Sequence, residues 1–376
     1  MNHTVTFVPG DGIGPEVTSA ARRVLDAALP TIDWDLQELG SAAVASGGAP
    51  ITDTAVESIR RNGVALKGPL QSPVGQSTHG PLNVALRKRL DLFAQIRSVR
   101  SWDGLLVPPD IDLVIARELT EDFAAGIELA RESDGCRQVL ALVASVTGRQ
   151  LDPSTALTVR PVSETATRRF AEFVLSWAER HGRHRVTVVH KASVLRATDG
   201  LFLEVSRAVA AEHPGLDVRD RLVDAFCADL IRDPSGVDVV MAPFLYGDIV
   251  SDIGAALGGG LGVAPGANYG EGTAVFEAAH GTVPARAGLD MADPLAAVLS
   301  GVLMLRHLGE AEAADRVERA VGAVLATGDG LTYDLRADRR TRVIGTAEMA
   351  DRIVDQIAND GRWRVRSSPR RPSSDS

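Results

Sequence analysis

Cysteine is nearly absent from this chain. Its 376 residues hold only Cys136 and Cys227, with no motif spacing between them. No disulfide framework is indicated, and a reducing cytoplasm is the expected compartment. Lysine is almost as scarce, at Lys67, Lys88 and Lys191, beside a large excess of arginine. No apolar run is long enough to cross a bilayer, which argues against a membrane protein. The opening MNHTVTFVPGDGIGPE has neither the charged start nor the apolar core of a secretion signal. A formal net charge of −9 argues against a surface that coats nucleic acid. What the chain does have is core material: 45% of it is hydrophobic, enough for one large domain or two ordinary ones. The Arg/Ser/Pro-rich end, RWRVRSSPRRPSSDS, is expected to be disordered.

Short apolar strands alternate with amphipathic helices. VTFVPG reads as a strand leaving into a glycine turn, and PEVTSAARRVLDAAL follows with helical spacing and a proline at its start. DLVIAREL, RVTVVHKASV and VDVVMAPFL read as buried strands. VSETATRRFAEFVLSWAERHG and DPLAAVLSGVLMLRHLG read as helices closing on glycine. The alternation predicts an α/β architecture. The glycines of GDGIGPE, at Gly10, Gly12 and Gly14, lack the G-x-G-x-x-G spacing and a suitable acid about 20 residues on. They fit a tight strand-to-helix turn as well as a phosphate cradle.

PFLYGDIVSDIGAALGGGLG sets Asp248 and Asp252 four residues apart in a stretch that reads as buried. At i and i+4 they share one helical face. Buried without partners they repel each other at considerable cost. A hard divalent cation with a preference for oxygen ligands resolves both problems. The alternative is a helix start, with Asp248 favoured by the dipole and Asp252 in solvent. Lys191, directly after an apolar strand, is either a base whose pKa is lowered in a cleft or a lysine snorkelling from a strand end. Arg87, Arg97 and Arg117 punctuate buried-looking segments, where they can converge on a polycarboxylate.

Blocks along nearly the whole chain carry a resemblance: VPGDGIGPE, LKGPLQSPVG, LNVALRKRLDLFAQIRSVR, DLVIARELTED, VTVVHKASVLRATDGLF, LYGDIVSDIGAALGGGLGVAPGANYG and FEAAHGTVPARAGLDMADP. Together they resemble the β-decarboxylating dehydrogenases, the isocitrate and 3-isopropylmalate dehydrogenase family. The resemblance implies a two-domain α/β fold distinct from the Rossmann fold. One domain, 1–93 plus 259–362, takes both chain ends and the cofactor side. The other, 94–258, holds the dimer interface and the metal aspartates, and 363–376 is the tail. It implies a homodimer with shared active sites and a small polycarboxylate or phosphonate-carboxylate substrate. Asp248 and Asp252 hold Mg²⁺ or Mn²⁺ from one subunit, while Asp224 and the catalytic Lys191 come from the other. Arg87, Arg97 and Arg117, with Ser72 and Asn83, are implied to meet the substrate. Ile13, Glu277, His280, Gly281, Thr282, Arg286, Asp293 and Tyr333 are implied to meet NAD(P)⁺.

Several positions depart from the family pattern. Its usual R-E-N-T-E-x-x-Y-x-G has Leu119 here for the asparagine and Ala124 for the tyrosine that helps protonate the product enolate. Tyr246, beside the metal aspartates, or a water is the expected substitute. Ser193 replaces the asparagine two residues after the lysine. Pro81 stands where isocitrate-specific relatives commonly have serine. The loop offers Ser72, Gln76, Ser77, Thr78 and His79, which favour a polar or anionic substituent, a phosphonate included, and also suit an ordinary surface turn. After His280-Gly281-Thr282-Val283-Pro284 comes Ala285, not the aspartate of NAD-using relatives. Arg286 is placed to pair with a 2′-phosphate, so the cofactor expectation leans to NADP⁺. Tyr333 fits that lean, whereas Asp293 in place of the usual asparagine and the absence of the lysine-tyrosine pair common in NADP-linked relatives count against it. The functional expectation is metal-dependent oxidation, with decarboxylation, of a 3-substituted malate. Isocitrate, homoisocitrate, 3-isopropylmalate, tartrate and malate are alternative substrates. A noncatalytic regulatory subunit is the alternative of another class, against which the retained Lys191, aspartates and arginines argue.

Overall fold

The computed structural model describes residues 2–71, 81–108, 110–335 and 342–366, with side chains to Asn359. The specificity-loop residues Ser72, Gln76, Ser77, Thr78 and His79 lie outside the described residues, as does most of the tail.

The strands are β1 His3–Val8, β2 Ile32–Leu36, β3 Val64–Lys67, β4 Ala94–Arg100, β5 Asp112–Glu118, β6 Ile127–Leu129, β7 Leu157–Val159, β8 Arg185–His190, β9 Asp217–Leu222, β10 Val239–Ala242, β11 Pro265–Gly270 and β12 Thr273–Ala278. The helices are α1 Gly14–Ala28, α2 Ser41–Ala45, α3 Asp53–Asn62, α4 Leu82–Arg89, α5 Asp134–Thr147, α6 Glu164–Arg180, α7 Thr198–Ala210, α8 Val223–Arg232, α9 Phe244–Leu257, α10 Leu295–His307, α11 Ala311–Thr327 and α12 Thr346–Arg366. This is an α/β fold divided into two compact units. One comprises 1–115, 230–237 and 250–376, and the other 116–229 and 238–249.

In the first unit β2, β1, β3 and β12 lie side by side and parallel, and β11 runs antiparallel between β12 and β4. Helix α1 begins with a proline in its first turn, where no N–H is needed. It buries Val17, Ala21, Val24 and Leu25, a helical stripe. Helix α10 is buried almost all round, from Leu295 to Leu305. Gly301 lets α1 reach it: a Cβ there would stand 2.6 Å from Leu25 Cδ1. The GDGIG stretch is a structural turn. Asp11 is buried and its carboxylate accepts from Ser41 N at 2.8 Å and Gln71 N at 2.8 Å, while Gly10 and Gly12 take positive φ.

In the second unit β8 lies between parallel β10 and β9, and β6 pairs with β7 antiparallel. Helix α6 starts where the Ser163 hydroxyl accepts from Ala166 N. It packs Phe170 against Phe202 of α7, ring centroids 6.3 Å apart. Gly182, just past the end of α6, has φ +66°, as its closing glycine predicts.

Candidate active site

Helix α9 carries both candidate metal aspartates. Gly247, Val250, Ser251, Gly254 and Ala255 face inward. Asp248 and Asp252 do not: their side chains are 47% and 57% exposed. The expectation that they are buried is therefore corrected. The apolar run is a one-sided helix, and the four-residue spacing turns both carboxylates out together. Asp248 lies beyond the first turn of α9, so the dipole accounts for little of its placement.

Each aspartate is met by a buried arginine. Arg117 Nη1 is 2.6 Å from Asp248 Oδ1, and its side chain is 5% exposed. Its Nε–H donates to Phe244 O at 2.8 Å, and the guanidinium lies 3.8 Å from the Phe244 ring centroid. Gly247 makes room for it, since a Cβ there would be 2.7 Å from Arg117 Cγ. Arg97 donates to Asp252 Oδ1 at 2.8 Å and to Ser251 Oγ at 2.7 Å. Arginines thus anchored keep their charge and a forked donor set aimed at carboxylate oxygen.

Arg87 belongs to a third ion pair. It donates to Glu277 at 3.0 Å, while Lys67 Nζ, almost fully buried, is 2.6 Å from the other Glu277 oxygen. Lys67 also donates to Asn83 Oδ1 at 3.2 Å, and Asn268 donates to Glu277 at 2.9 Å. Burial alone would raise the Glu277 pKa. The Lys67 and Arg87 charges and the hydrogen bonds from Lys67 and Asn268 outweigh it and hold the carboxyl far below the usual range. Lys67 and Asn268 were missed by sequence reasoning. Lys67 did carry a signal, as one of three lysines and inside an apolar strand.

Lys191 Nζ lies 2.5 Å from Asp224 Oδ1, and that hydrogen bond lowers the Asp224 pKa. Beneath Lys191 is a network the sequence did not reveal. Fully buried Asp199 accepts from Lys191 N at 2.6 Å, and Arg160 bridges Asp199 and Asp122, both at 2.5 Å. Asp122 Oδ2 also accepts from Leu245 N at 3.2 Å, near the start of α9. The Tyr246 phenol is pushed up to about 12 by burial and the Asp199 charge. Ala124 and Leu119 are both buried, and neither can supply a proton.

The residues expected around the cofactor lie in the first unit. Ile13 N donates to Thr282 O at 2.9 Å, and a Cβ on Gly12 would be 2.0 Å from that oxygen. His280 Nδ1 lies 3.0 Å from Gly281 O, and burial lowers its pKa. The Arg286 guanidinium stacks 3.9 Å from the Tyr333 ring centroid. Asp293 is buried at the start of α10, where Oδ1 accepts from Leu295 N at 3.0 Å.

No three acidic, histidine or cysteine side chains among the described residues of one chain form a metal-holding group. The donor set of α9 nonetheless suits a hard cation, with two half-exposed carboxylates on one face.

With fold and residues in place, the class of protein is defined. The sequence profile of the isocitrate/isopropylmalate dehydrogenases matches residues 4–353. The chain belongs to this family of oxidoreductases, and its α/β fold is the family's, not a Rossmann fold. Among individual relatives, the mitochondrial isocitrate dehydrogenase (NAD) subunit alpha of Homo sapiens is 39% identical over 354 residues, 94% of this chain and 91% of that one. The Bos taurus subunit of the same name gives the same identity and shares. The crystal structure of isocitrate dehydrogenase from Methylococcus capsulatus is 39% identical with a TM-score of 0.85, covering 94% of this chain and 99% of that one.

Proposed function

We propose that the protein oxidises the hydroxyl of a 3-substituted malate and releases its β-carboxylate as CO₂, with a nicotinamide dinucleotide as hydride acceptor. The observation that carries this reading is the pair of aspartates on one face of α9, each paired with a buried arginine. A Mg²⁺ or Mn²⁺ ion held by Asp248, Asp252 and Asp224 of a second copy would acidify the substrate hydroxyl and stabilise developing negative charge. Arg87, Arg97 and Arg117 bind the substrate carboxylates and fix their orientation. Lys191 of the second copy takes the hydroxyl proton, directly or through water; a nicotinamide, when bound, would accept the hydride from the same carbon. The bond to the β-carboxylate then breaks, its electron pair moves into the enolate, and CO₂ leaves. A proton added to the enolate carbon completes the product.

With Ala124 in the chain and the Tyr246 phenol pushed up to about 12, which holds its proton more tightly than an ordinary phenol, we assign that last proton to solvent. Tyr246→Phe is then expected to lower kcat by less than about tenfold, since a true general acid contributes about 10²–10⁴. NAD(P)H formation, CO₂ release and solvent-deuterium incorporation are to be followed separately. A loss above about 100-fold confined to deuterium incorporation would restore Tyr246 as the donor.

The relatives named above are isocitrate dehydrogenases, which puts isocitrate first in a substrate panel. The panel also holds homoisocitrate, 3-isopropylmalate, tartrate, malate and a phosphonate-bearing malate, with each metal and each nicotinamide. Equal yields of reduced cofactor and CO₂ are expected from the productive substrate. Reduction without CO₂ across the panel would leave simple alcohol oxidation.

NADP⁺ is the proposed cofactor, although the human relative is named for NAD. Ala285 removes an acidic repulsion against a 2′-phosphate, and the Arg286 guanidinium is oriented by its stack on Tyr333. Arg286→Ala is expected to weaken NADP⁺ binding about 10–100-fold and NAD⁺ binding little, since charged hydrogen bonds are worth about 1.5–3 kcal/mol. Equal losses, or a wild-type preference for NAD⁺, would remove Arg286 from that role.

A further inference from the structure

Arg160 follows directly on β7, which returns against β6 and brings it beside Asp122. Asp122 N donates to Pro161 O at 3.0 Å, so main chain joins the two segments as well as side chain. The guanidinium is 12% exposed, and the two carboxylates it bridges are buried. It donates to Asp122 Oδ1 through Nε at 2.5 Å and to Oδ2 through Nη2 at 3.2 Å. Nη1 donates to Asp199 Oδ1 at 2.5 Å and to Thr198 Oγ1 at 3.2 Å. Its central carbon lies 5.5 Å from the Tyr246 ring centroid. All of these residues belong to the second unit.

Each carboxylate holds a different part of the chemistry. The second oxygen of Asp199 accepts from Lys191 N at 2.6 Å. The next amide, Ala192 N, donates to His190 Nδ1 at 3.0 Å, and Lys191 O accepts from Val194 N and Leu195 N, both at 2.9 Å. The peptide groups on both sides of Lys191 are therefore fixed. Asp122 holds the other end. It takes φ +57°, a conformation uncommon outside glycine, and its carboxylate accepts from Phe123 N at 2.9 Å and Leu245 N at 3.2 Å. Glycine would adopt that φ more readily but brings no carboxylate. Leu245 lies in the first turn of α9, where an amide has no acceptor within the helix.

We propose that Arg160 is a positioning residue that sets Lys191 and the first turn of α9 in one frame, acting on the lysine through Asp199 and on the helix through Asp122. The inference rests on the dehydrogenase reading and deepens it. Arg160 does its work without touching substrate. Lys191 accepts a proton only within hydrogen-bond reach of the substrate hydroxyl, and a misplacement of about 1 Å costs about 10²-fold in rate. The flat, forked guanidinium suits this task, since it meets two carboxylates and a hydroxyl at fixed angles where an ammonium is a single point of charge. In the dimer proposed above, Lys191 and α9 of one chain serve different active sites. Arg160 then ties the two sites together through one side chain.

The test compares wild type with Arg160→Lys, Asp199→Asn and the double variant. Arg160→Lys keeps a positive charge between the buried carboxylates, and Asp199→Asn keeps an oxygen that accepts from Lys191 N, so both changes spare the fold. With the productive substrate of the panel, Arg160→Lys is expected to lower kcat about 10–100-fold and to leave KM within about threefold, because Arg87, Arg97 and Arg117 are untouched. The double variant is expected within about threefold of the slower single variant, since both changes cut one link. Losses that multiply, a loss carried by KM alone, or an unchanged kcat overturns the proposal. The second readout needs no turnover. The chain holds three lysines, so selective ¹³C labelling of lysine gives few side-chain signals, with that of Lys191 assigned by its loss in Lys191→Arg. In cofactor-free protein the Lys191 signal is expected to move in both single variants while those of Lys67 and Lys88 stay. A Lys191 signal that stays in place, or movement of all three signals in both variants, overturns the positioning role. Wild type that turns over no member of the panel overturns the dehydrogenase reading instead, and the lysine spectrum still decides whether Arg160 holds Lys191.

Discussion

Asp248→Asn is expected to lower kcat/KM by about 10²- to 10⁴-fold in a protein that still folds, the rate equivalent of the several kcal/mol a Lewis acid contributes. A neutral amide is a poorer ligand for a hard cation than a carboxylate. The amide oxygen still accepts from Arg117, which otherwise would be left a buried charge without its aspartate partner. The loss therefore belongs to chemistry and metal affinity, not to the fold. The measurement is turnover against added Mg²⁺ or Mn²⁺ in chelator-treated buffer, with circular dichroism as the folding control. Wild-type turnover by a folded Asp248→Asn protein across that titration would refute the assignment of α9 as the metal helix.

Glu277→Gln is expected to be the more damaging change to stability, by about 3–5 kcal/mol, the cost of removing one member of a buried ionic group. It leaves the Lys67 ammonium, 2% exposed, and the Arg87 guanidinium, 12% exposed, without their shared anion. The pH dependence has a fixed sign. The Glu277 carboxyl is depressed in the folded protein. Its contribution is present in full above the unfolded value, near 4.3, and is lost as pH falls through the lower folded value. Urea unfolding from neutral pH into that acid range should show wild type losing stability and the Gln variant lacking this part of the loss. A variant within about 1 kcal/mol of wild type at neutral pH would show that the trio contributes little.

The regular elements were legible because their patterns are local. The β5 and β8 segments read as strands from apolar runs, and α6 and α10 from helical spacing with a closing glycine. Asp248, Asp252 and the three arginines stood out for the same reason, as charges in apolar surroundings. Two things were not legible. The outward turn of the aspartates was hidden by glycine and alanine, which make α9 look apolar on every side although only one side packs. The charged networks were hidden by distance along the chain. Lys67 meets Glu277 across 210 positions, Asp122 meets Arg160 across 38, and Arg160 meets Asp199 across 39. No spacing rule reaches that far. The positions that depart from the family pattern were readable as departures, but the raised pKa of Asp293 was not, since it comes from burial and then the Asp334 charge, which only the folded chain supplies.

The sequence of helix α9 is a weak helix former, with Gly247 and Gly254 each costing about 1 kcal/mol relative to alanine in a helix interior, and aspartate also disfavoured. At 14 residues it is too short to persist alone. Both glycines are nonetheless needed, since a Cβ at Gly254 would lie 2.8 Å from Ile115 Cδ1 and one at Gly247 would strike Arg117. Local preference and tertiary fit therefore conflict in α9, and tertiary fit prevails. The helix therefore depends on packing for its stability, with Gly254 set against Ile115 and Gly247 against Arg117, both of β5. Asp248 and Asp252 thus share one face only in a helix that this packing holds together.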